Sequence, residues 1–71
     1  MIEFIEKYKN SEDILKENIK VMKNYIMCFE IVGEDKIKEI YPNCYHPLED
    51  IKQTLKLAKK YYRNLKKGIK N

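Results

Sequence analysis

The stretch from Pro47 to Lys70, PLEDIKQTLKLAKKYYRNLKKGIK, decides the fold. Leu48, Ile51, Leu55, Ala58, Tyr62, Leu65 and Ile69 recur in it at alternating steps of three and four. An α-helix turns once every ~3.6 residues, so this spacing lines all of them along one side of a single helix. Glu49 and Asp50 fall in the first turn, where the positive end of the helix dipole favours carboxylates. Pro47 suits the first helical position, whose N–H would have no intrahelical partner anyway. The spacing predicts a helix over about 47–67.

Upstream, Leu15, Ile19, Met22, Ile26 and Phe29 repeat the same rhythm. Asn10-Ser11 offers an N-cap ahead of Glu12 and Asp13, and Gly33 suits the left-handed residue just past a helix end. This predicts a second long helix over about 12–32. Its last third, Tyr25 to Val32, is rich in β-prone residues and competes as a buried strand. The spacing runs into it without interruption, which favours the helix.

Ile37, Ile40 and Tyr41 allow a short connecting helix over about 35–41, stopped by Pro42. Ile2 and Ile5, with Phe4 and Tyr8, allow another at the N-terminal end. The expected fold class is therefore all-α: an antiparallel helical hairpin with two short additional helices, in a single domain over 1–71. Such a hairpin leaves part of each apolar seam uncovered. A homodimeric four-helix bundle and a monomeric bundle both answer that need.

Composition agrees with long helices. The chain has 71 residues, two Gly and two Pro, too few turn-formers for a sandwich or barrel. Hydrophobic residues at 44% are too many for a disordered chain. A core of this size supplies only about 3–5 kcal/mol. Phe, Tyr, Met, Ile, Asn and Lys dominate, the imprint of AT-rich coding, so abundant lysine is weak evidence on its own.

The opening residues Met1 to Glu6 carry two acids where a secretory leader has basic residues. The longest apolar run, Tyr25 to Phe29, falls far short of the ~20 residues that span a bilayer. The expectation is a cytoplasmic protein away from membranes, with Cys28 and Cys44 as reduced thiols.

Charge is distributed unevenly. Residues 1–51 hold seven lysines and eleven acids, a net of −4, while residues 52–71 hold eight basic residues and no acid. At ~100° per residue, Lys52, Lys56, Lys59, Lys60, Arg63, Lys66, Lys67 and Lys70 fall in one arc beside the apolar seam. Such a stripe can be merely solvated, or can complement acids such as Glu12, Asp13 and Glu17. The solvated or intramolecular reading comes first, an acidic protein partner next, and a line of phosphates after it. Lysine is a point charge without the fork that reads base edges, so nucleic-acid contact would be to the backbone and independent of sequence. Tyr61, beside the stripe, could stack on an unpaired base.

Candidate chemistry is sparse. Cys28, Cys44 and His46 make three zinc-ligand types where a structural site takes four, in paired short steps that are missing here. Cys44 and His46 could act as nucleophile and base, but nothing near them orients a base or forms an oxyanion hole. Cys28 reads as a small core residue, and His46 as a cap on the last helix. A helix-turn-helix is disfavoured because Glu49 and Asp50 would face phosphates at the reading end. The expected function is that of a small non-catalytic protein-interaction module, an adaptor, regulator or inhibitor, with no metal or cofactor. Sequence-independent nucleic-acid binding through the basic helix is the alternative.

Overall fold

A computed structural model describes residues 1–71. Four helices follow one another: α1 (Ile2–Lys7), α2 (Glu12–Val32), α3 (Glu34–Ile40) and α4 (Leu48–Lys66). They account for 75% of the chain, and no strand is present. The stretch Tyr25 to Val32 is helical to its end, so the strand alternative falls away.

The two long helices pack against each other, α3 folds back on α2, and α1 lies on α4. Ile5, Leu15, Met22, Ile51, Leu55 and Ala58 form the buried core, drawn from α1, α2 and α4. Ile19, Tyr25, Ile26, Leu57, Tyr61, Tyr62 and Leu65 pack around it, half-buried. The seam positions thus face inward as their spacing requires. Ile37 is fully buried on α3. The α2 N-cap is Ser11, whose extended backbone places its carbonyl to accept from Leu15 N–H at 3.0 Å. α2 ends at Gly33, where φ is 83° and ψ is 168°, a conformation that side chains with a Cβ rarely enter. The same glycine opens α3, so one residue makes the corner between two helices.

Three expectations need correction. Pro47 is the N-cap of α4, with ψ of 143°, and Leu48 is the first helical residue. His46 does not cap this helix; its backbone is bound to Tyr25 instead. The helix also stops before Ile69, which is half exposed. At Gly68, with φ of 78°, the chain reverses in a Schellman motif: Ile69 N–H donates to the Asn64 carbonyl at 2.8 Å and Gly68 N–H to that of Leu65 at 3.1 Å.

The reversal brings Asn71 back over the α1–α2 junction. Its side-chain amide donates to the carbonyls of Lys9 (2.7 Å) and Tyr61 (3.1 Å), and its backbone N–H to Asn10 Oδ1 (2.8 Å). Asn64 Nδ2 donates to Asn71 Oδ1 at 2.9 Å. The junction and the end of α4 are thereby joined by hydrogen bonds.

The domain measures 41 × 19 × 18 Å, and only 8 of its 71 residues are buried. Its accessible surface, 5204 Å², exceeds the ~4,700 Å² expected of a compact monomer of 8.6 kDa. Val21, Met27 and Ile31 on α2 are among the exposed large apolar residues. No helix is long and apolar enough to cross a membrane.

Candidate functional site

The basic residues of α4 stand on its solvent side because the apolar seam claims the other. Lys52, Lys56, Lys59, Lys60, Arg63 and Lys66 are all exposed on the helix. Lys67 occupies the C-cap and Lys70 lies beyond the reversal at Gly68, so the helical stripe is shorter than the expected arc.

One member of the stripe has a counter-charge. Lys66 Nζ lies 2.6 Å from Glu12 Oε1 and 5.4 Å from the centre of the Tyr62 ring. The hydrogen bond to Glu12, reinforced by its charge, holds the Lys66 ammonium above the usual lysine range. Asp13 and Glu17, the other expected counter-charges, form no ion pair. The remaining ion pairs, Lys36 with Glu39 and Lys38 with Glu34, belong to α3. Lys52, Lys56, Lys59, Lys60, Arg63, Lys67 and Lys70 have no carboxylate within 4.0 Å.

The α2–α4 packing adds cations that the stripe alone does not contain. Lys16, Lys20 and Lys23 follow each other at steps of four and three, one position along from the α2 seam. Lys16 and Lys23 share a groove of about 370 Å³ with α4, lined by Lys16, Ile19, Lys23, Lys59, Tyr62 and Arg63. A second depression along α2, lined by Lys16, Ile19, Lys20, Lys23, Asn24 and Tyr62, continues it. On the outer side of α4, Gln53, Lys56, Leu57, Lys60 and Arg63 line a third. Arg63 is common to the groove and the outer depression, so the cationic face is continuous across both helices. Its floor is apolar, Ile19 and Tyr62, and its rims are ammonium and guanidinium groups. This arrangement attracts extended anions and repels isolated cations.

Tyr61 is half-buried against the core, as is Leu57. Tyr45 is half-buried as well, and its phenol donates to Glu34 Oε1 at 2.7 Å. That bond holds the Glu34 carboxyl below its ordinary range and pushes the Tyr45 phenol up to about 12.

Cys44 and His46 line a cleft of about 210 Å³ with Met1, Val21, Met22, Tyr25, Tyr41 and Ile51. Its walls are almost wholly apolar, and Tyr45, between the two in sequence, turns away towards Glu34. Cys28 is half-buried on α2 and outside both this cleft and the core cluster, a correction to its expected place in the core. No three His, Cys, Asp or Glu side chains converge as metal ligands.

The chain matches no protein-family model, no curated protein and no solved structure.

Proposed function

We propose that the protein is a small non-catalytic interaction module, an adaptor, regulator or inhibitor, that acts by covering the surface of an anionic partner. The supporting observation is the continuous cationic face of α2 and α4, in which Lys16 and Lys23 oppose Lys59 and Arg63 across one groove. Long-range attraction would steer the partner, and the aliphatic stems with Ile19 and Tyr62 would supply contact once water is displaced.

Two anionic partners fit this reading, an acidic protein and a nucleic-acid backbone; the lysines of α2 favour the second because they turn a narrow stripe into a two-sided cradle. Exposed Val21, Met27 and Ile31 leave room for a second copy to complete a four-helix bundle, and sedimentation over a concentration range would measure that association. The two unpaired thiols suit a cytoplasmic setting.

Amide chemical-shift mapping tests the docking face directly. Titration of isotope-labelled protein with polyglutamate and with a DNA duplex should move amides of residues 16–23 and 56–63 for at least one of them. Shifts spread evenly over the chain, or confined to α1 and α3, would refute the assignment.

A further inference from the structure

Resting on that reading, we infer that the partner of the α2–α4 groove is the sugar–phosphate backbone of a nucleic-acid duplex, seated as a ridge between two rows of cations. Lys16, Lys20 and Lys23 form the α2 row; Lys59 and Arg63 form the α4 rim of the groove, with Lys56 and Lys60 behind them on the outer side of α4. The α2 row runs two helical turns, about 10.5 Å, and the α4 rim one turn, about 6 Å, at ~1.5 Å per residue. Phosphates of a duplex strand advance ~3.4 Å each along the axis but lie farther apart along the winding backbone, so each rim meets about two of them. The four cations that line the groove, two from each helix, set the minimum number neutralised.

Composition separates nucleic acid from protein as the occupant. Lysine is depleted at protein–protein interfaces, which draw on aromatic, methionine and arginine anchors. Interfaces with nucleic acid are strongly cationic and polar. This face carries six lysines and one arginine across its two helices, and none of them is paired with a carboxylate. Its floor offers no projecting anchor, since Ile19 and Tyr62 are both half-buried.

The aromatics separate duplex from single strand. Unpaired bases are held by stacking on free rings. Here Lys66 stands over the Tyr62 ring, and Tyr61 is packed on the core. What remains is a concave track with charged rims, which fits the convex backbone of a duplex. With Arg63 as the lone guanidinium, the track reads no bases, and affinity is independent of sequence.

The test is fluorescence anisotropy of a short labelled DNA duplex titrated with the full chain. Wild-type protein should bind at micromolar concentration or tighter in ~50 mM salt and lose on the order of 100-fold by ~200 mM. Two charge-reversal variants are compared: Lys16→Glu with Lys20→Glu and Lys23→Glu, and Lys56→Glu with Lys59→Glu and Arg63→Glu. Each should weaken binding at least about tenfold while circular dichroism stays helical. Where a reversal unfolds the chain, the Gln series takes its place, with a smaller loss in the same direction. A duplex of different sequence should bind within a few-fold of the first.

Absence of duplex binding in low salt overturns the inference, as does tight binding to a single strand with none to the duplex. Loss from the α4 variant alone overturns the two-row groove. Parallel titrations with polyglutamate and with phosphatidylserine vesicles distinguish the inference from the broader proposal. If polyglutamate binds through the same residues and the duplex does not, the nucleic-acid assignment falls and the interaction module stands. Vesicle binding in place of both transfers the face to a lipid surface and overturns the inference. If no anion responds to either variant, both readings fall.

Discussion

The Tyr25 phenol donates to the carbonyl of His46 at 2.9 Å and accepts from the N–H of the same residue at 3.1 Å. A side chain from the middle of α2 thus satisfies both backbone groups of His46 in the connection, as a paired strand would. Tyr25 also packs against the Tyr41 ring, 5.6 Å between centroids, at the start of that connection. The segment from Tyr41 to Pro47 is therefore fastened to α2 near both ends, and this sets where α4 begins.

Tyr25→Phe keeps the ring and removes both hydrogen bonds. A half-buried N–H and C=O left unsatisfied cost about 1–3 kcal/mol. Urea unfolding should show a loss of that size, and the His46 amide should exchange with solvent faster than its neighbours. Unchanged stability would mean that water replaces the phenol without penalty.

Leu15 and Ile51 are almost completely buried, on facing helices. Truncation of either to Ala should cost about 2–5 kcal/mol. That is comparable to the ~3–5 kcal/mol a core of this size provides. Leu15→Ala and Ile51→Ala should be largely unfolded by circular dichroism at ambient temperature, whereas Val21→Ala, at an exposed position, should not.

Both glycines with positive φ have open space where a Cβ would sit, so substitution there reports backbone strain alone. Gly33 combines φ of 83° with ψ of 168°, a region almost reserved for glycine. Gly33→Ala should cost about 1–3 kcal/mol. At Gly68, which closes the Schellman motif, asparagine is tolerated. Thermal melts should rank Gly33→Ala below Gly68→Ala, and Gly68→Asn nearest to wild type.

Tyr45 gives a pH signature. Its phenol, bound to Glu34, is pushed up to about 12 from an ordinary 10.0. A raised pKa means the stabilising contact is complete below the ordinary value and is lost as pH climbs through the raised one. The contact should therefore weaken progressively between pH 10.0 and about 12. At the acid end the depressed Glu34 carboxyl has the opposite sign: its contribution is present above the ordinary carboxylate range and disappears as pH falls through the lowered value. Tyrosinate absorbance should show a phenol titrating above the ordinary 10.0, and Glu34→Gln should bring it back towards that value.

Much of this architecture is legible in the residue spacing. The α2 seam and Gly33 give the bounds of that helix because both signals are local, a period and a left-handed stop. The same stop signal stands at Gly68, but the regular spacing through Leu65 to Ile69 masks it, and that is why Lys67 and Lys70 are wrongly included in a helical stripe. Thr54 is buried although polar; its hydroxyl donates to the Asp50 carbonyl one turn back, which removes the cost of burial. Tyr25 and Asn71 act across 21 and more than 60 residues, and no local pattern announces such bonds. The α2 lysines are visible as a repeat, yet their place beside Lys59 and Arg63 follows only from how the two helices pack.

The salt dependence of duplex binding tests the central claim most directly. Neutralising four phosphates should give a slope of log Kobs against log salt near −3.6, at ~0.9 per phosphate. Replacing Lys16 and Lys23 by Gln removes two of those contacts and should bring the slope to about −1.8. A slope near zero for the wild-type chain, or one indifferent to Lys16 and Lys23, would contradict a groove shared by α2 and α4.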